Sequence, residues 1–165
     1  MTNILEKIVA DKRIEIEQLK IDFPLSDFID TLVPTQKNMY AALDRKQGEA
    51  HAGFILECKK ASPSKGLIRK DFDPKAICQI YDKYAAAISV LTDEKYFQGT
   101  FEYLKIVTDT VNCPVLNKDF FVDAYQVYLA RYYGADAILL MLSVLNDDEY
   151  KALAAIAEQY NLAVL

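Results

Sequence analysis
One histidine, three cysteines and no long apolar run set the first limits on this 165-residue chain. With His51 as its sole imidazole, any Ser-His-Asp or Cys-His chemistry would have to pass through that residue. It stands between Ala50 and Ala52 ahead of an apolar run, the setting of a solvated or strand-entry side chain. Cys58, Cys78 and Cys113 are odd in number and form no C-x-x-C pair, which excludes a disulfide framework and a zinc-ligand spacing. No G-x-G-x-x-G or Walker loop follows the first apolar run, which weighs against a nucleotide-binding sheet. Every apolar run falls short of the roughly 18 residues of a membrane span. The N-terminal MTNILEKIVADKR is charged every few residues, unlike a secretory signal. A net charge of −5 argues against a general nucleic-acid or anionic-membrane binder. The cytoplasm is the expected compartment.

What the chain has is the balance of a globular protein, 52% hydrophobic and 26% charged, in a length that suits one core. Residues 3–20 read as a helix. Asn3 with Glu6 three on resembles a capping box, and Ile4, Leu5, Ile8, Val9, Ile16 and Leu19 recur at helical spacing. Pro24 and Pro34 bracket a short helical piece over 25–32, and another is expected over 39–45, closed by Gln47 and Gly48. From residue 54 the pattern alternates. Apolar runs at 54–56, 87–91, 115–116, 137–142 and 162–165 are separated by amphipathic stretches near 74–85, 99–110, 123–133 and 147–160. Such alternation means parallel strands covered by helices. YAAAISVL and YGADAILL echo each other at helix-to-strand turns, and Gly134 suits the left-handed position after a helix. The near-regular strand spacing fits βα units in a barrel or a doubly wound sheet. Charges at strand C-termini favour the barrel, because that face carries barrel active sites.

Side chains alternate along a strand. In FILECKKASPSKG, Glu57 and Lys59 therefore share one face, and Cys58 and Lys60 the other. The charged pair either faces a site or is solvated at a frayed strand end. In PVLNKDFF, Leu116, Lys118 and Phe120 share a face, and Asn117 and Asp119 the opposite one. Lys118 on an inward row suits acid–base work or a fixed cation; a surface lysine paired with Asp119 is the alternative. Ser62, Ser64, Lys65 and Gly66 of ASPSKG suit an anionic group such as phosphate, or simply a turn. Lys59, Lys60, Lys65, Arg69 and Lys70 crowd this one segment. In LTDEKYFQGT, Asp93, Glu94 and Lys95 read as rim charges, and Tyr96 and Phe97 as cover for a ligand or as packing. AILLMLSVL is an apolar wall with Ser143 as its one polar residue.

Four stretches carry a family resemblance: ILEKIVADKR, ILECKKASPSKG, SVLTDEKYFQGTFEYL and KDFFVDAYQVYLARYYGADAILLML. Together they closely resemble the indole-3-glycerol phosphate synthase family, above all the synthase part of the bacterial enzymes fused to phosphoribosylanthranilate isomerase. The resemblance implies an α/β fold of the TIM (βα)8 barrel family with an N-terminal helical extension, here residues 1–50 ahead of a barrel part over 51–165. It implies a lyase that closes the pyrrole ring of 1-(2-carboxyphenylamino)-1-deoxyribulose 5-phosphate with loss of CO2 and water, using no cofactor and no metal. By resemblance Lys118 is the general acid, Lys59 holds the anthranilate carboxylate and Glu57 organises that site. Ser62 helps hold the phosphate, and Phe97, Phe120 and Leu140 or Leu142 shape the apolar pocket. A fused isomerase domain in the full-length protein is part of the same implication.

The family's general base is a glutamate at the end of the fifth strand, and this sequence stops at NLAVL, about where that strand would deliver it. The glycine-rich phosphate loops after the seventh and eighth strands are absent, and a complete barrel takes about 250 residues. The expectation is an incomplete barrel of about four βα units plus a fifth strand, inactive or nearly so alone and prone to self-association through its open edges. Two other readings stay open. One is a barrel aldolase with Lys118 forming a Schiff base; the other is a non-catalytic half-barrel serving binding or assembly.

Overall fold
The structure, a computed structural model, describes residues 3–44 and 52–165; Arg45, Gln47, Gly48 and His51, and the domain boundary expected at residue 50, lie outside them. Helix α1 runs Ile4–Asp22 behind the expected capping box, with Leu5 N donating to Asn3 Oδ1 and Asn3 N to Glu6 Oε2, both at 3.2 Å. The helical piece over 25–32 resolves into two 3-10 turns, Leu25–Asp27 and Ile29–Thr31. Helix α2, Met39–Leu43, starts on Asn38, whose side chain accepts from Ala41 N at 2.9 Å. Strand β1 is Ile55–Cys58, followed by the small antiparallel pair β2 (Ala61–Ser62) and β3 (Gly66–Leu67). Then come α3 (Pro74–Tyr81), β4 (Ala87–Leu91), α4 (Glu94–Phe97), α5 (Phe101–Thr110) and β5 (Val115–Lys118). The chain continues through α6 (Ala124–Tyr132), β6 (Ala137–Ile138), α7 (Asp147–Gln159) and β7 (Ala163–Val164).

Five strands form one sheet in the order β1-β4-β5-β6-β7, every pairing parallel. Strand order follows chain order, as successive right-handed βα units require. The two faces of the sheet are distinct. Cys58, Ile88, Val90, Val115, Ile138 and Leu140 pack with the helices. On the other face Met39 of α2, wholly buried, packs against Ala87, Leu116, Ala137 and Ala163. The register aligns Glu57, Ser89, Leu116, Ala137 and Ala163 across this inner face, and the small residues on β6 and β7 seat Met39. A third cluster, Ile16, Phe28, Tyr125 and Leu129, seats α1 on α6.

Strand β1 begins one residue later than its apolar run and takes in Glu57 and Cys58, while Phe54 is 58% exposed. The ladder to β4, not hydrophobicity, sets its ends. Gly134 holds φ at +91° after α6, as its place after the helix predicts.

Candidate active site
The charged residues meet where the strands end. Glu57 leaves the inner face of β1 and receives two ammonium groups, Lys59 Nζ on Oε1 at 2.5 Å and Lys118 Nζ on Oε2. All three are half-buried at the mouth of the sheet. Burial pushes the Glu57 carboxyl up, and the bonds from Lys118 and Lys59 more than offset it, holding the group below its ordinary value. Asp119 does not pair with Lys118. It points to the opposite face, where it is buried against α1. Cys58, between the two charged residues, packs under the helical layer, and desolvation pushes its thiol up to about 12.

Around this triad the expected ligand-binding residues fall into three groups. Ser62, buried at the start of the β2–β3 hairpin, accepts from Lys65 N at 3.2 Å and lies 3.5 Å from the Ser64 hydroxyl. Gly66 closes that hairpin at φ +62°. Phe97 on α4 and Phe120 after β5 face each other with ring centroids 6.1 Å apart, both half-buried. Leu140 and Leu142 lie elsewhere: Leu140 belongs to the helix-side cluster and Leu142 is 73% exposed. Alternation along β6 and the residue beyond it gives the inner face to Ala137 and Leu139 instead.

Two residues escaped sequence reasoning. Ser89 stands beside Glu57 in the register, buried, with no hydrogen-bond partner for its hydroxyl among the described residues. The signal was its place as the one polar residue of AISVL, the same signal noticed for the exposed Ser143. The other is Lys12, buried among carboxylates behind the mouth. Among the described residues there is no cluster of three or more side chains fit to hold a metal ion, and no helix is long and apolar enough to cross a membrane.

Successive βα units in one parallel sheet, with charges gathered beyond the strand C-termini, define the βα-barrel class. The sequence model of the family described as "Indole-3-glycerol phosphate synthase" matches residues 5–165. The chain belongs to that family of TIM barrels, and its five parallel strands are part of such a barrel. Three curated relatives carry the name "Tryptophan biosynthesis protein TrpCF". That of Vibrio cholerae is 58% identical over 165 residues, covering 100% of this chain and 34% of the relative. The Salmonella typhi protein is 56% identical over 165 residues, with 100% and 36% covered. The Haemophilus influenzae protein is 52% identical over 162 residues, with 98% and 34% covered. The chain thus spans about a third of the length of the curated relatives it matches.

Proposed function
We propose that these residues form one wall of the active site of an indole-3-glycerol phosphate synthase in cytoplasmic tryptophan biosynthesis. The observation that carries the reading is Glu57 of β1 held between Lys59, just past the end of that strand, and Lys118, the last residue of β5, at the C-terminal ends of a parallel sheet. Lys118 is the general acid. Its ammonium donates a proton to the substrate carbonyl oxygen as the ring carbon attacks, giving a hydroxyl. Once CO2 has left, that hydroxyl departs as water with a second proton, the one a base takes from the substrate as the pyrrole ring becomes aromatic. Lys59 offers a fixed cation to the anthranilate carboxylate whose loss as CO2 completes the ring closure. Glu57 aims both lysines while the site is empty. Ser62 and the neighbouring backbone receive the phosphate, and Phe97 with Phe120 flank the aromatic ring. Residues 1–50 act as a helical extension to the barrel part, and the protein's partners are the sugar-phosphate substrate and a fused isomerase domain.

The reaction also needs a base, and residues 1–165 alone are expected to turn over little or no substrate. Joining this chain to the remaining two thirds of the Vibrio cholerae relative, in place of its matching segment, supplies the rest. The hybrid should convert 1-(2-carboxyphenylamino)-1-deoxyribulose 5-phosphate to indole-3-glycerol phosphate, read by indole fluorescence; a folded hybrid without turnover defeats the proposal. Borohydride reduction with a carbonyl substrate should leave Lys118 unmodified, since an ammonium paired to a carboxylate donates protons rather than attacking carbon. Trapping at Lys118 would favour the aldolase reading.

A further inference from the structure
We propose that Lys12 of α1 is a positioning residue for Lys118: a buried cation that fixes the segments following β4 and β5, which adjoin the acid and carry the aromatic slot. The inference rests on the reading of Lys118 as the proton donor. Lys12 is 1% exposed, and its Nζ lies 2.9 Å from Glu15 Oε2, 3.0 Å from Asp93 Oδ2 and 3.1 Å from Asp119 Oδ1. Desolvation opposes the charge, and the three carboxylates reverse that effect, so Lys12 binds its proton more tightly than an ordinary lysine. A methionine would fill the same space with no ion to desolvate, so packing alone gives no reason for an ammonium here.

Both buried carboxylates are committed to the backbone of a mouth loop. Asp93 caps α4 by accepting from Tyr96 N at 2.8 Å, and its carbonyl accepts from Gly99 N at 2.9 Å. That fixes the short helix carrying Phe97. Asp119 accepts from Phe120 N at 2.8 Å and from the Thr92 hydroxyl at 2.6 Å. Thr92 Oγ1 in turn accepts from Asn117 Nδ2 at 2.8 Å. The residues on either side of Lys118, Asn117 and Asp119, are therefore locked to the loop after β4. With its neighbours held, strand alternation sends Lys118 out on the opposite face toward Glu57.

Helix α1 is itself anchored from outside the cluster. Ile16 packs on Phe28 and Tyr125, Lys20 Nζ lies 2.6 Å from Asp123 Oδ2, and Arg13 reaches Glu149 at 3.2 Å. The helix therefore holds the cation still against the two loops. Without it two buried carboxylates would face each other unpaired, and the loops would move apart or one carboxyl would take up a proton.

The test reads the Lys118 amine directly. Wild type, Lys12→Met and Leu153→Ala chains are trace-labelled with acetic anhydride, and the modification of Lys118 relative to exposed Lys75 is measured by mass spectrometry. Leu153→Ala removes buried packing from α7, at none of the residues that anchor α1, and serves as the stability control. Lys12→Met should raise the Lys118 ratio about threefold or more, as Lys118 leaves Glu57 and becomes accessible, while Leu153→Ala leaves it unchanged. An unchanged ratio in Lys12→Met overturns the inference. If Lys12→Met does not fold, Lys12→Met/Asp93→Asn/Asp119→Asn, which leaves no buried charge unpaired, carries the same comparison. In the Vibrio cholerae hybrid, Lys12→Met should lower kcat about 100-fold with KM nearly unchanged. A wild-type hybrid without turnover defeats the synthase reading and leaves the labelling result standing. Turnover with kcat unchanged in Lys12→Met defeats the inference alone.

Discussion

Glu57 is a carboxylate with burial acting against its charge and two ammonium groups acting for it, and the ammonium groups prevail. Its lowered pKa has a definite sign. The stabilisation from its pairs is complete above the ordinary carboxylate range and is lost as pH falls through the lowered value. Glu57→Gln should therefore lose less stability than wild type between neutral and acid pH in urea titrations followed by circular dichroism. Parallel losses would contradict the pairing. The thiols make a second prediction, since burial pushes Cys58 and Cys113 up to about 12 and raises Cys78 as well. At pH 8 a disulfide reagent should modify Cys58 and Cys78, the two buried thiols, only as the protein unfolds, with the partly exposed Cys113 reacting first; rapid reaction of Cys58 or Cys78 in the native protein would contradict their burial. The convergence of Glu57, Lys59 and Lys118 was legible because period-two alternation and strand-end position are both written in the chain. Lys12 was not, because a lysine in ADKR looks like any solvated helix residue until the loops that bury it are folded against it. Leu140, expected at the apolar pocket by resemblance, lies in the helix-side cluster, and its continuously apolar run carries no polar residue to mark the phase.

Elements with a cap or a sustained period were the readable ones. Asn3 with Glu6 and the apolar positions of α1 announced a helix, and Gly134 announced the end of α6. The short helix α4 and the β2–β3 hairpin have neither length nor periodicity, and they rest on a few local bonds such as Tyr96 N to Asp93 and Lys65 N to Ser62. The turn at Gly134 gives a test at this scale. A Cβ there would meet Thr108 Oγ1 at 2.7 Å in a backbone that already favours glycine. Gly134→Ala should cost about 1–3 kcal/mol in urea unfolding, and a neutral substitution would show that the turn relaxes freely.

At the scale of the molecule, β1 and β7 are the outer strands of a five-stranded parallel sheet. At β7 the Tyr40 hydroxyl both donates to Val164 O and accepts from Val164 N, each at 2.8 Å, so α2 blunts that edge. Phe54, beside β1, stays 58% exposed. We propose that residues 1–165, expressed alone, self-associate through the open strand edges. Sedimentation velocity should show species larger than the 18.7 kDa monomer, whereas a single sharp monomer across concentrations would contradict this. The central claim is that the mouth of this sheet carries the acid of an indole-3-glycerol phosphate synthase. It is tested most directly by the steady-state kinetics of Lys118→Ala in the Vibrio cholerae hybrid. The account predicts a fall in kcat of about 100-fold to 10,000-fold with only a modest change in KM. Turnover at the wild-type rate would contradict it.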